Sequence, residues 1–321
     1  MGPQVMYEHL EKRDSFNRNN IILGPWNHGQ WSIDNSNSLG MIKFGSNTSE
    51  TFSDYEKKWF DYWLKGIGNG VFDEVYAFQT GSNKWKSYET WPPKNSITKR
   101  LYIHSDHTNS FIQPEKETGS ISYTSDPKKP IPYRKRPIES TFTSTSKWSS
   151  WLVEDQRFVS SRPDVLIFTS NELEEDITVT GKVKAFINFS TTASDADVVV
   201  KLIDVFPNFY EKEIAMSGYQ FPVTMEVFRG RFRNSFEKPE PFEPNKIEKI
   251  IIDLHNINHV FQKGHKIMIQ IQSTWFPIID INPQNYVPNI FKAKDDDFLK
   301  ADITIHANSK FPTYIELPII E

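Results

Sequence analysis

Cysteine is absent from the 321 residues, so disulfides, thiol nucleophiles and thiolate metal sites are excluded. No apolar run approaches the length of a membrane span. Charge of one sign is also missing: the net charge of −4 and a pI near 6.1 argue against a general binder of nucleic acid or anionic membrane. Long stretches rich in Ala, Leu and Glu do not occur, which disfavours a helix bundle. The Met-Gly-Pro-Gln start carries no basic, apolar leader. What is present is 14% aromatic residues and 20 prolines, a balance that favours strands and loops. The length suggests roughly two domains.

The stretch Asn20 to Trp31 organises the rest. Ile21, Ile22 and Leu23 form a short apolar run closed by Gly24 and Pro25, the pattern of a buried strand ending at a turn. His28 follows in the loop at the carboxyl end of that strand, where open α/β sheets place their chemistry. Trp26 and Trp31 are candidate pocket walls, expected to hold the imidazole away from bulk water. A lone strand-end His more often caps or packs.

The wider pattern reverses those odds. Gly24-Pro25-Trp26-Asn27-His28-Gly29 resembles the histidine motif of the cocaine esterase and X-Pro dipeptidyl-peptidase (CocE/NonD) family of serine hydrolases. Its α-amino-acid ester hydrolases and glutaryl cephalosporin acylases are the most similar branch. The resemblance continues through Trp59 to Gly66, Thr80 to Trp85, Arg162 to Leu166, Phe228 to Arg233, Ser273 to Pro277 and Val287 to Phe291. It implies a Ser-Asp-His mechanism on ester or amide bonds, such as α-amino-acid esters, β-lactam acyl side chains or X-Pro peptides. The order of such a triad is Ser, acid, His. No Gly-x-Ser-x-Gly elbow occurs in the sequence, and Gly2 matches the glycine that closes the family's acid motif. His28 is thus the one triad member expected here, with nucleophile and acid upstream. By this resemblance the chain is the C-terminal part of a serine hydrolase, inactive alone, without cofactor or metal. A periplasmic or secreted location follows from the resemblance only. The alternative is a non-catalytic binding or interaction module that retains a hydrolase remnant. Partners expected are a small ester, amide or peptide substrate, an upstream hydrolase segment, and a second copy in a homo-oligomer; nucleic acid and membrane are not.

The fold class expected is α/β plus all-β. Residues 1–72 form the C-terminal remnant of an α/β-hydrolase domain, and 73–321 a jelly-roll β-sandwich. In the first part, Pro3 to Arg13 reads as a short helix with an apolar stripe of Val5, Met6 and Leu10. A second helix has capping-box spacing at Ser53 and Glu56, a core stripe from Phe52 to Leu64, and a stop at Gly66. Beyond the glycines at 66, 68 and 70 the period changes to two, and strands are expected near 75–79, 100–104, 165–169, 178–190, 197–206, 224–233, 247–255, 267–273 and 313–319. In 267–272 the isoleucines face a core, with Met268, Gln270 and Gln272 half-wet. Arg229, Arg231 and Arg233 share one strand face and are expected to pair with carboxylates of a neighbouring strand or of the hydrolase domain, a substrate carboxylate being the alternative. Phe111 to Lys147 reads as an irregular basic surface excursion. His255, His259 and His265 cluster near Asp253, but on strand and turn their spacing favours structure over a metal site. Asp295 to Asp297 reads as a solvated turn.

Overall fold

The computed structural model describes residues 2–143 and 145–320. In chain order the elements are α1 (Gly2–Glu11), β1 (Ile21–Leu23), β2 (Ser38–Leu39), β3 (Ile42–Lys43), α2 (Thr48–Lys65), β4 (Val75–Gln79), β5 (Lys84–Tyr88), β6 (Ser96–Ile103), β7 (Asn109–Ser110) and β8 (Ser120–Ser125). They continue with β9 (Leu166–Thr169), β10 (Ile177–Thr191), β11 (Asp197–Val205), β12 (Gln220–Arg229), β13 (Glu248–Phe261), β14 (Lys266–Gln272), β15 (Ala301–His306) and β16 (Tyr314–Ile320), with short 3-10 turns between them.

A small sheet runs β1-β4-β5, with β1 and β4 parallel and Leu23 opposite Ala77. The crossover between them contains α2, the connection parallel strands require. This sheet therefore extends past residue 72. The rest of the chain is built on a seven-stranded sheet, β7-β6-β16-β10-β15-β8 with β13 paired to β10, and a four-stranded sheet, β12-β11-β14-β9. Their facing residues form one core, including Val198, Val200, Leu202, Ile267, Ile269 and Ile271 from the smaller sheet and Val183, Ile187, Ile252, Ile303 and Leu317 from the larger. The expected alternation in β14 is there, but Met268, Gln270 and Gln272 are buried as well. Trp151, Tyr133 and Trp275 pack over that side of the sheet, so what reads as a half-wet face is a second, polar interior.

Several local expectations are corrected. In α1 the stripe faces outward, with Met6 64% exposed; Tyr7 is the buried residue, bonded through its hydroxyl to Glu74. Helix α2 begins at Thr48 after Asn47, not at Ser53, and Gly66 ends it in the left-handed conformation at φ 68°. Its stripe is no closed core: Tyr55 stacks on Tyr76 at 5.8 Å, while Phe60, Trp63 and Leu64 are exposed, because the three-stranded sheet is too narrow to cover them. The 111–147 excursion contains β8, and Arg134 within it is buried beside Glu154 at 3.1 Å rather than solvated.

The small sheet is fastened to the large one at the end of β4. Thr80 N donates to Asn258 O at 3.0 Å, Val260 N donates to Thr80 O at 2.9 Å, and Gln262 Nε2 donates to Gly81 O at 2.5 Å. Gly81 sits at φ +83°, and a Cβ there would lie 2.1 Å from the Val260 carbonyl oxygen. Both the backbone conformation and the contact demand glycine. Gly81→Ala is expected to destabilise the protein by about 2 kcal/mol or more. Urea denaturation checks this, through a lower midpoint at unchanged slope.

Candidate functional site

His28 lies where the Ile-Ile-Leu run places it, in the loop just past β1, on the side of the small sheet where β1 and β4 both end. Asn27 anchors the loop to the larger body by donating from Nδ2 to Ser149 O at 3.0 Å. The imidazole is exposed. Its ring meets Trp31 edge to face at 6.1 Å, and no hydrogen bond or ion pair engages it among the described residues. The expected shielding by two tryptophans is thus corrected. Trp26 turns into the packing, donating from Nε1 to Thr48 Oγ1 at 2.9 Å and lying 5.3 Å from Phe52 and 5.9 Å from Trp85. Trp31 lines an open cleft of about 770 Å³ with Asn47, Glu50, Phe52 and Asp54; Trp26 does not. Asp14 is committed to its own loop, accepting from Phe16 N, Arg18 N and Asn19 N.

A buried polar joint lies past the end of β4, at Thr80. Asp204 on β11 accepts from His265 Nδ1 at 2.8 Å and faces His259 Nε2 at 3.3 Å, while His259 Nδ1 meets Thr80 Oγ1 at 2.8 Å. Burial by itself would raise the Asp204 carboxyl; hydrogen bonds from His259 and His265 outweigh it and hold the group below the usual carboxylate range. Two of the three clustered histidines therefore meet on one carboxylate. His255 does not join them: it bonds Glu226 of β12 at 2.6 Å. Among the described residues no group of three or more His, Cys, Asp or Glu side chains is arranged to hold a metal ion.

The Arg229 to Arg233 segment leaves the strand after Arg229 and turns in a 3-10 helix. Arg229 pairs with Asp197 of neighbouring β11 at 3.1 Å. Arg231 donates from Nε to Asp195 at 2.8 Å, and both side chains are buried. Arg233 donates to the carbonyls of Glu240 and Pro241. Carboxylates and carbonyls of this chain occupy most of the ladder.

Lys201 is a functional candidate that alternation alone does not mark, although a Lys inside Val198-Val199-Val200-Lys201-Leu202-Ile203 is an anomaly in itself. It is fully buried, donates to Gln156 Oε1 at 2.8 Å, and lies under the rings of Phe158 and Trp275, with no carboxylate partner among the described residues. Burial lowers its amine from the ordinary 10.5 to about 7. Between those values the folded state holds fewer protons than the unfolded chain, so stability rises as pH climbs from about 7 towards 10, and the full penalty applies below 7. Lys201→Met is expected to be more stable than the parent at pH 6, by on the order of a few kcal/mol, and to flatten that pH dependence. Urea midpoints of both proteins at pH 6, 7.5 and 9 test it.

The sequence profile described as the X-Pro dipeptidyl-peptidase C-terminal non-catalytic domain matches residues 69–316. The chain belongs to that family. Cocaine esterase from Rhodococcus sp. (strain MB1 Bresler) is 27% identical over 314 residues, covering 94% of this chain and 51% of that protein. Among solved structures, an aminopeptidase from the marine sediment archaeon Thaumarchaeota archaeon superposes with a TM-score of 0.96 at 38% identity, over 98% of this chain and 52% of that one. An α-amino acid ester hydrolase gives 0.93, also at 38% identity, with the same coverage of 98% and 52%. The chain spans about half the length of these relatives. The CocE/NonD resemblance read from the motifs is thereby borne out, and a β-rich C-terminal region of a hydrolase family is what the family match and the sheets together describe.

Proposed function

We propose that this chain is the C-terminal part of a serine hydrolase of ester or amide bonds, in which His28 is the general base and an upstream segment supplies the Ser and the acid. Residues 1–72 are read as the end of an α/β-hydrolase domain and the two facing sheets as its jelly roll. The observation that carries the reading is His28 itself: an exposed, unengaged imidazole at the carboxyl end of a parallel strand, inside the intact Gly24 to Gly29 motif. Such a His takes the proton of an attacking Ser and returns it to the leaving group, once a carboxylate fixes its tautomer.

Apolar exposure supports the missing partner. Among the described residues, 12 of the 25 exposed large hydrophobics lie before residue 72, including Met6, Leu10, Trp63, Leu64 and Ile67. Patches concentrated in this way mark interaction surfaces, and β1 adds an unpaired strand edge. An upstream hydrolase segment would cover both.

Mixing the chain with the separately expressed N-terminal half of a related hydrolase tests the proposal. Hydrolysis of a chromogenic amino-acid ester should appear in the mixture and be missing from either component; X-Pro anilides and aryl esters, run alongside, would rank the substrate class. The second reading, a non-catalytic binding module, is favoured by the non-catalytic description of the matched family. Silence from folded components that demonstrably associate would select it.

A further inference from the structure

A groove of about 710 Å³ opens between β12 and β13, and all its lining residues come from positions 226–280. Both strands are edges here, since β12 ends the four-stranded sheet and the 248–256 stretch of β13 pairs with β10 alone, ahead of the Thr80 bridge at His259. The volume is that of a small-molecule site. Phe232, Phe236, Ile251, Ile278 and Ile279 supply apolar walls, and Phe236 is 83% exposed and stacked on Phe232 at 6.3 Å.

The polar groups divide into those already committed and those that are not. At one end Glu226 accepts from Val227 N at 2.7 Å and from His255 Nε2 at 2.6 Å. The bulge that shifts register between Lys182 and Lys184 holds His255 at φ 66°, aimed at that carboxylate. Glu226 thereby blocks a free N–H of the β12 edge. Asp253 caps the His255 N–H at 2.9 Å. At the other end Arg229 uses Nε and Nη2 on Asp197 and on the Asp280 carbonyl, at 3.2 and 2.9 Å. Among the described residues, Arg229 Nη1 and the exposed Asp280 carboxylate have no partner. One guanidinium nitrogen and one carboxylate, both free, stand over an apolar groove.

We infer that this groove binds a free α-amino acid with an apolar side chain. Its carboxylate meets Arg229, its ammonium meets Asp280, and its side chain lies against Phe236 and Ile279. An apolar acid would leave Asp280 unmatched, and an apolar amine would leave Arg229 unmatched. The inference is independent of the catalytic reading of His28.

NMR titration of the full chain with L-phenylalanine, phenylacetate and phenethylamine tests it. L-Phenylalanine should perturb the groove resonances and bind about tenfold or more tightly than either single-charge analogue. Asp280→Asn and Phe236→Ala change exposed side chains that hold nothing else. The first should weaken L-phenylalanine to the level of phenylacetate and leave phenylacetate unchanged; the second should weaken all three. Equal binding of the three compounds, no perturbation of the groove up to saturation, or indifference of L-phenylalanine to Asp280→Asn would overturn the inference.

Discussion

His28→Ala is expected to abolish ester hydrolysis once the chain is paired with the upstream half of a related hydrolase, lowering kcat by about 10⁴-fold or more. The imidazole is exposed and bonded to nothing among the described residues, so its removal leaves packing intact. Thermal unfolding and association with the upstream half should therefore match the parent, and loss of turnover would be chemical rather than structural. His28→Gln, which keeps size and polarity but cannot shuttle a proton near neutral pH, should be as inactive. Undiminished turnover in either variant would remove His28 from the mechanism.

The largest loss of stability is expected at Asp195. Its carboxylate is fully buried and accepts from Arg231 Nε at 2.8 Å, while Arg231 also donates to Val287 O at 3.0 Å and stacks on Tyr286. Asp195→Ala strands a guanidinium in the interior, and breaking such a pair costs about 3–5 kcal/mol. Removing both charges costs less, because neither is left unpaired. Asp195→Leu with Arg231→Met should recover much of the loss, and urea denaturation of the two single variants and the double would show a coupling well above additivity. Additive losses would mean that the pair contributes nothing beyond its separate contacts.

Sequence patterns carried the β-strands well wherever apolar alternation met a turn residue. Strands expected at 75–79, 178–190, 197–206 and 267–273 fall within a residue or two of β4, β10, β11 and β14. Strand β8 was hidden because Ser120-Ile121-Ser122-Tyr123-Thr124-Ser125 lies inside a polar, Pro-rich excursion and reads as loop chemistry. The start of α2 was misplaced because Asn47 and Ser53 are both good caps, and the local code cannot rank them; burial of Thr48 and Ser49 decides it. The outward stripes of α1 and α2 were illegible for a different reason, since periodicity reports that a face is apolar but not what lies opposite. Arg231 and Asp195 are 36 residues apart, and Lys201 and Gln156 are 45 apart. Only the tertiary fold tells an ion pair or an isolated buried amine from a solvated one.

The position of β16 governs when the molecule can assemble. It is the last of the described strands, yet it lies inside the seven-stranded sheet between β6 and β10, with Leu317 opposite Lys99 and Ala185 opposite Ile315. Those neighbours precede it by more than a hundred residues in sequence, so β6 and β10 cannot acquire their shared partner until translation has passed residue 320. Until then the nascent sheet waits with a gap at its centre, an interval that a chaperone has time to guard.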